Sequence, residues 1–288
     1  MTIATSSTPA PSATSAASAA SVAHHRRSRN LGSLRKVALG ALGIVGFLTT
    51  WQLVSTLKII NPEQLPSATD TFARLGLLLT DLEFWRNIGR TMSAWALGLT
   101  LATVAGVALG ALVGLIPVLR RASHTMVEFL RPIPSVALIP LAILIYGLQI
   151  QAALIIIVFA SFWQVFVQVL YGVADIDTVA RDTAKSFGIT GASRLRHLVL
   201  PTALPYLMTG LRLAAAVALI LAVTAEMTIT NPGLGRQLIV AAAIGNNTTV
   251  YAIVIVTGVL GLIINIGFRA IERRALHWHQ SVRGEDAL

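Results

Sequence analysis

The chain has 288 residues, of which 55% are hydrophobic and only 12% are charged. Soluble domains carry about twice that charged fraction, and the apolar residues here form long blocks, so the composition predicts a multi-spanning membrane protein. The net charge of +10 comes from basic residues at the ends of those blocks, which favours cytoplasmic loops over a nucleic-acid-binding face. The absence of cysteine excludes disulfides, thiolate catalysis and cysteine-based metal sites.

The amino-terminal segment, residues 1–36, is rich in Ser, Ala and Thr and ends in a basic cluster. This composition predicts a disordered cytoplasmic segment. The uncharged run 37–57 then predicts a first spanning helix. The alternative is the apolar region of a signal peptide, but the run is long for one and no clear cleavage pattern follows it. Residues 58–90 have mixed charge and predict an external segment with a short amphipathic helix.

Three further spans are predicted between residues 91 and 172. The charge-free stretch 91–119 predicts span two, which Arg120 and Arg121 close on the inner side. The charge-free stretch 132–174 is too long for one helix, so we predict span three at 123–146 and span four at 152–172, with a polar turn between them. Span two also contains glycines at four- and eight-residue spacing, which favours close helix packing: Gly98, Gly106, Gly110 and Gly114.

The rest of the chain predicts a basic inner segment at 173–205, span five at 206–227, an external loop at 228–249 and span six at 250–270. With both termini in the cytoplasm, most Lys and Arg residues lie inside, which is the expected asymmetry. The sequence therefore predicts an all-α membrane protein with six transmembrane helices. Its membrane domain covers 37–271, and residues 272–288 form a cytoplasmic tail.

The cytoplasmic loop 175–201 predicts two short helices between spans four and five. Asp177 is a suitable N-cap for the first helix, whose apolar face includes Phe187. Gly188 suits a left-handed helix stop, and Pro201 is expected to end the second helix. By physical chemistry alone, a helix pair lying on lipid headgroups and a protein-docking surface are equally good interpretations of this loop.

The same loop resembles the ATPase-docking loop of ABC importer permeases. That family's motif is Glu-Ala-Ala, three residues, Gly, nine residues, Ile, one residue and Leu-Pro. The departures here are Asp for Glu, Thr for Ala and Leu for Ile. In this family the helix inserts into a groove of the ATPase subunit and transmits its closure to the membrane helices. The resemblance implies docking residues at Asp182, Thr183, Ala184, Phe187, Gly188, Leu198, Leu200 and Pro201.

Other segments are similar to permeases of the nitrate, sulfonate and taurine group, over about residues 40–278. They are Leu65-Pro66-Ser67, the stretches 130–147 and 200–212, and Ala225-Glu226-Met227 followed by Gly233-Leu234-Gly235. The resemblance implies a multi-pass permease subunit in the bacterial cytoplasmic (inner) membrane, in contact with membrane lipid and not with nucleic acid. The implied substrate is a small anion such as an alkyl sulfonate, taurine or nitrate.

The resemblance also implies the partners. Two ABC ATPase subunits, which use ATP and Mg, dock on two permease copies that form a homodimer with the pathway between them. A periplasmic or lipid-anchored solute-binding protein delivers the solute. The sequence contains no P-loop, so ATP hydrolysis is expected in a separate chain. We expect no catalytic residue and no cofactor in this chain, and His277 and His279 alone are too few for a metal site.

Polar residues and prolines inside the predicted spans are candidates for the pathway or its gate. Arg212 either snorkels to the cytoplasm or faces the pathway. Glu226 is either an external gate or an interfacial carboxylate. The two glutamines either line the pathway or form hydrogen bonds between helices, and the prolines either shape a gate or only kink span three. These candidates are Arg212, Glu226, Gln164, Gln168, Pro134 and Pro140.

Two other functions are weighed against an ATP-driven permease. A self-sufficient secondary transporter predicts two related halves with broken helices and a buried ion site, and no internal repeat is evident in this sequence. A membrane-bound enzyme predicts a cluster of His, Asp or Glu near one interface, which the sequence also lacks.

Overall fold

A computed structural model describes residues 38–229 and 231–277, and these contain helices and turns but no strand. The chain divides into two compact units, residues 1–69 and 70–288. The described part of the first unit contains helix α1 (Ala38–Thr56) and the turn that follows it. The indole N–H of Trp51 donates to the carbonyl of Pro66 at 3.0 Å, so the predicted Leu65-Pro66-Ser67 segment is held against α1. The segment predicted to be disordered, 1–36, lies outside the described residues.

The following helices come next in chain order. They are α2 (Ala68–Leu79), α3 (Leu82–Leu115), α4 (Pro117–Leu130), a 3-10 turn (Ser135–Leu138), α5 (Ile139–Tyr146), α6 (Ile150–Ala174), α7 (Thr178–Ser186), α8 (Gly191–Arg194), a π-helical turn (Leu195–Val199), α9 (Leu200–Ile229), α10 (Leu234–Ala243) and α11 (Asn247–Ala275). The amphipathic helix predicted within 58–90 corresponds to α2. The predicted external loop 228–249 contains α10.

Five helices are long and apolar enough to cross a membrane: α1, α3, α6, the run Gly191–Ile229 and α11. The segments Pro117–Leu130 and Ser135–Tyr146 make a sixth if they are counted as one broken span. The all-α, multi-spanning prediction is confirmed. The positions of the two termini relative to the membrane stay a prediction.

Span three was predicted at 123–146, with prolines that either shape a gate or only kink it, and the structure divides this stretch into two helical segments. Its two segments are bent by 83° at the break between Leu130 and Ser135. Pro132 and Pro134 lie in that break, and each lacks the N–H that a continuous helix needs. The chain is therefore interrupted at these prolines, and the change of direction is larger than a kink within one helix.

The core of the second unit is built from α3, α6 and α9. The glycines of α3 allow its backbone to approach α6 closely. A Cβ on Gly98 would overlap the side chain of Ile157, and one on Gly106 would lie 2.9 Å from Cβ of Val165. The packing role predicted for the glycine series is confirmed.

The helix that carries the second part of the cytoplasmic loop does not end at Pro201, contrary to the sequence prediction. Helical structure continues from Gly191 to Ile229 through the π-helical turn Leu195–Val199. Pro201 falls in the first turn of α9, where the wider π turn precedes it and a missing N–H is tolerated. At 1.5 Å per residue this run is about 58 Å long, whereas a bilayer core is about 30 Å thick.

Candidate functional site

A buried carboxylate joins α3, α9 and α10 at the predicted external end of the molecule. The side chain of Glu226 is only 3% exposed. Its Oε2 atom accepts hydrogen bonds from the hydroxyl of Thr91 and from the backbone N–H of Gly235, both at 2.9 Å. The Thr91 hydroxyl oxygen in turn accepts the N–H of Leu234 at 3.0 Å. One carboxylate therefore fixes the beginning of α10 against two long helices.

Two glycines make room for this carboxylate. A Cβ on Gly233 would overlap the carboxylate of Glu226, and a Cβ on Gly235 would overlap the backbone carbonyl oxygen of Val223. Only glycine permits such close approach of backbone to a buried group. The sequence pattern of a glutamate followed by Gly-Leu-Gly is thereby explained by one packing arrangement.

A cavity of about 240 Å³ with a mostly apolar lining lies beside the carboxylate, and its polar lining residues are Arg90, Ser93, Asn231 and Glu226. The Nδ2 atom of Asn231 is buried and has no hydrogen-bond partner among the described residues. Arg90 Nη1 lies 2.8 Å from Glu83 Oε1. The structure thus brings the predicted gate residue Glu226 to a cavity, but its gating role stays a prediction.

Sequence reasoning missed Thr91. It is fully buried and supplies both a donor and an acceptor to this cluster, yet it is 135 residues away from Glu226 in the chain. In the sequence, Thr91 is distinguished only as the first residue of the charge-free stretch that predicts span two. That position gives no indication of a polar partner.

The glutamine pair lies where α6 meets α9. A Cβ on Gly210 of α9 would lie 3.0 Å from Cβ of Gln168 and 3.1 Å from the carbonyl oxygen of Gln164. Both side chains are half-buried, and within the described part of the chain neither makes a side-chain hydrogen bond. Hydrogen bonding between helices is therefore not seen here, and lining the pathway stays a prediction.

Arg212 is paired within the chain. Its Nη1 atom lies 3.2 Å from Oε2 of Glu272 on α11, and both side chains are partly buried. The pair ties α9 to α11, which neither of the two sequence interpretations of this arginine included. Its role in the pathway stays a prediction.

The two candidate prolines lie at or beside the bend of span three. Pro134 precedes the 3-10 turn, and Pro140 is the second residue of α5. Both positions suit proline, because an N–H near a helix start has no partner within the helix. They shape the bend, and a gating role for it stays a prediction.

The loop 175–201, predicted to be cytoplasmic, has well-defined ends. Asp177 caps α7, with its Oδ1 atom accepting the N–H of Val179 at 2.7 Å. Beyond the end of α7, Gly188 has a φ of 67°, and the N–H of Ile189 donates to the carbonyl of Ala184 at 2.8 Å. The cap and the glycine stop lie where the sequence predicts them.

The predicted docking residues divide into two groups. Ala184 is buried, and Leu198 packs against the main core, so these two anchor the loop. Phe187 is 79% exposed and Val179 is 70% exposed, so an apolar surface on α7 is left uncovered by this chain. The other predicted docking residues are also exposed: Asp182, Thr183, Gly188, Leu200 and Pro201.

No cluster of three or more His, Asp or Glu side chains suited to a metal ion occurs within residues 38–229 and 231–277. His277 is described, and its Nδ1 atom lies 3.3 Å from the carbonyl oxygen of Arg274. Trp278 and His279 lie outside the described residues.

The chain is similar to known proteins over most of its length. A family model described as "Binding-protein-dependent transport system inner membrane component" matches residues 102–277. The chain is 30% identical over 241 residues to the taurine transport system permease protein TauC of Escherichia coli (strain K12), covering 82% of this chain and 88% of that protein. It is 27% identical over 245 residues to SsuC of the same organism, whose name refers to aliphatic sulfonates transport, covering 84% of this chain and 92% of that protein.

A solved structure also has a similar fold. It shows the MetNI methionine ABC transporter in inward-facing conformations, and one of its chains superimposes with a TM-score of 0.59 at 21% identity. The match covers 67% of this chain and 96% of that chain. At this identity the likeness concerns the fold alone.

Proposed function

The chain belongs to the family of binding-protein-dependent transport system inner membrane components, and from this premise we propose which solute it moves and how an ATPase drives it. As a member of that family it is a permease subunit of an ABC importer, and such permeases work with an ATPase and a solute-binding protein. We propose that the solute is a small sulfonate, with nitrate as the next candidate. The names of TauC and SsuC support the sulfonate class.

The exposed apolar surface of α7 carries the proposal that this loop docks the ATPase. Phe187 directly follows a helix whose ends are fixed by a side-chain cap and a glycine stop and whose one buried residue is Ala184. A large exposed aromatic side chain on such a fixed support is typical of a protein interface. The small residues around it allow a partner groove to approach closely.

The continuous helix Gly191–Ile229 supports a mechanism for coupling. Its first turns belong to the docking loop, and its last turn carries Glu226 in the outer cluster. We propose two permease copies, two ATPase chains that hydrolyse ATP with Mg, and a solute-binding protein on the outside. Closure of the ATPase pair brings the two loops together, and the long helices carry that movement to the outer cavity.

Transport in proteoliposomes tests the solute and the energy source together. The permease is reconstituted with its ATPase and its binding protein, and uptake of labelled taurine, ethanesulfonate and nitrate is measured with and without ATP. We expect ATP-dependent uptake of the sulfonates to exceed that of nitrate. Uptake that needs no ATP would instead support the secondary-transporter alternative.

Docking is tested by the change Phe187→Asp. We expect at least about tenfold weaker binding of the ATPase, because a buried aromatic anchor at an interface contributes about 2 kcal/mol or more. The measurement is ATPase retention on the immobilised permease, together with ATP hydrolysis stimulated by the loaded binding protein. Phe187→Leu is the control, since it keeps an apolar side chain, and it should retain most of the binding. Equal ATPase retention in wild type and Phe187→Asp would contradict docking through α7.

A further inference from the structure

A cavity of about 680 Å³ lies at the predicted cytoplasmic ends of α3 and α6. Arginines from three separate segments line it, and none of its lining residues carries a carboxylate. They are Arg120 and Arg121 from α4, Arg181 from α7 and Arg194 from α8. Its size falls within the range of small-ligand pockets.

These four arginines line one cavity and have no carboxylate partner there. Arg86, Arg90 and Arg212 each pair with a glutamate. Within the described residues, none of the four cavity arginines forms a salt bridge or a side-chain hydrogen bond. The Nε atom of Arg194 is moreover buried without a partner among those residues. Glu128 contacts His124 at 3.5 Å and lines a neighbouring cavity instead.

The wall of the cavity is firmly packed. Gly114 of α3 and Val173 of α6 belong to this wall. A Cβ on Gly114 would lie 2.9 Å from Cβ of Val173, so the two helices are already in close contact and cannot move together to fill the cavity. Pro117, at the start of α4, also lines it, and Ile116 provides no side-chain cap there. The positive end of a helix and four arginines, of which Arg194 is half-buried and the others are exposed, therefore line one cavity.

Like charges gathered without counter-charges repel one another, and a buried guanidinium N–H without an acceptor is costly. Guanidinium groups bind tetrahedral oxyanions through paired, charge-assisted hydrogen bonds. We infer that this cavity binds a sulfate-, sulfonate- or phosphate-type oxyanion, supplied either free from the cytoplasm or as the headgroup of an anionic lipid.

A bound oxyanion would connect α4 with both segments of the cytoplasmic loop. Arg181 and Arg194 belong to that loop, whereas Arg120 and Arg121 follow the inner end of α3. Occupancy would therefore stiffen the connection between the loop and the membrane helices and raise the efficiency of ATPase coupling. This consequence for coupling rests on the proposed docking function, but the binding itself does not.

The binding test uses the purified permease–ATPase complex in nanodiscs. One arm adds sodium sulfate to discs of phosphatidylcholine, with sodium chloride at equal ionic strength as the reference. The other arm compares these discs with discs that also contain phosphatidylglycerol, and retained lipid is counted by native mass spectrometry. In both arms thermal unfolding is followed for wild type, Arg194→Gln and the double variant Arg120→Gln/Arg121→Gln.

The matched control is Arg273→Gln/Arg274→Gln, which removes the same charge from the exposed end of α11 outside the cavity. We expect wild type and control to be stabilised, and apparent affinity for the probe to fall about tenfold or more in the cavity variants, because each variant removes charge-assisted hydrogen bonds to the probe. Stabilisation by sulfate identifies a free oxyanion, and stabilisation by phosphatidylglycerol alone identifies a lipid headgroup.

Three results would overturn the site. The first is that neither probe stabilises the wild type, and the second is that each probe stabilises the cavity variants as much as the wild type. The third is that neither probe binds and the cavity variants lose the ATPase. The third result would mean that acidic side chains of the ATPase occupy the cavity. Failure of the docking proposal is distinguishable, because Phe187→Asp leaves these arginines unchanged. Oxyanion binding to the isolated Phe187→Asp permease would then persist even if the ATPase no longer docks.

Discussion

The two ends of the run Gly191–Ile229 are built in opposite ways. At the outer end, Glu226 is buried, hydrogen-bonded and enclosed by two glycines. Just before the inner end, Phe187 and its neighbours on α7 are exposed, and space surrounds Gly188, where a Cβ would meet nothing within 4 Å. The outer end is packed entirely by its own chain, whereas the inner end presents a surface that its own chain leaves uncovered.

This difference indicates which contacts each end depends on. The outer cluster depends on contacts within the chain, so small changes there should affect folding and transport together. The docking loop depends on a partner, so changes there should alter assembly while the permease itself still folds. The predictions that follow test this division, in order of decreasing expected effect.

The largest effect is expected for Gly235→Ala. The added Cβ would overlap the backbone carbonyl oxygen of Val223, and backbone cannot rotate away as a side chain can. Overpacking typically costs about 1–3 kcal/mol, and an overlap with backbone lies at the upper end of that range or above it. We therefore expect a fall of several degrees in the unfolding temperature of the purified permease, followed by tryptophan fluorescence, and loss of ATP-driven uptake.

Gly89→Ala is the matched control for that change. Gly89 is exposed on α3, and a Cβ there meets nothing within 4 Å. Replacing glycine by alanine inside a helix stabilises it by up to about 1 kcal/mol. If Gly235→Ala unfolded at the same temperature as this control, the outer cluster would be less tightly packed than the structure indicates.

Glu226 permits a sharper comparison, because both of its hydrogen bonds reach the same oxygen, Oε2. Glu226→Ala leaves the Gly235 N–H without a partner, at about 1–3 kcal/mol for a buried group. The Thr91 hydroxyl then keeps only its longer hydrogen bond to the carbonyl of Asn87, at 3.2 Å. Glu226→Gln retains an oxygen that accepts both bonds but removes the charge beside the cavity. We expect Ala to unfold at a clearly lower temperature than Gln, and Gln to keep near-normal stability.

Uptake separates the two roles of this residue. If its charge controls passage through the outer cavity, Glu226→Gln should slow sulfonate uptake severalfold although the protein remains stable and assembled. Normal uptake in Glu226→Gln, combined with the low stability of Glu226→Ala, would mean that the carboxylate only holds the three helices together and is not a gate.

The same contrast explains what the sequence predicted and what it did not. The cap at Asp177 and the stop at Gly188 depend on neighbouring residues, so local rules locate both. The glycine series of α3 shows its packing role through periodicity alone. The partnership of Glu226 with Thr91 joins residues 135 positions apart, and that of Arg212 with Glu272 likewise depends on how α9 meets α11, so no local pattern contains either one.

Two features of the helices depend on the surrounding structure and not on local rules. Prolines correctly marked span three as irregular, but the 83° bend depends on how α4 and α5 pack. Pro201 was expected to end a helix, yet a π-helical turn before it lets the chain continue. Proline lacks the N–H that the α-helical hydrogen-bond pattern requires, but the π-helical turn uses a wider pattern, so the helix can continue past Pro201.

The smallest effect is expected where this chain departs from the family motif. Asp182 and Thr183 are exposed on α7, so the double change Asp182→Glu/Thr183→Ala, which restores the family triplet, meets no neighbour within the chain. Alanine also favours the helix over threonine by about half a kcal/mol. We expect ATPase binding and stimulated hydrolysis to change by less than about twofold, and the unfolding temperature to stay the same or rise slightly.

Asp182→Asn/Thr183→Ala is the comparison for that variant, because it differs from it in removing the acidic charge. If the acid pairs with a basic residue of the ATPase, hydrolysis in the Asn variant should become less sensitive to added salt than in the Glu variant. An added methylene is then tolerated at the docking surface, whereas one added methyl at Gly235 is not. A severe loss of ATPase binding in the Glu variant would contradict this, because it would mean that the docking surface fits its partner as closely as the outer cluster fits itself.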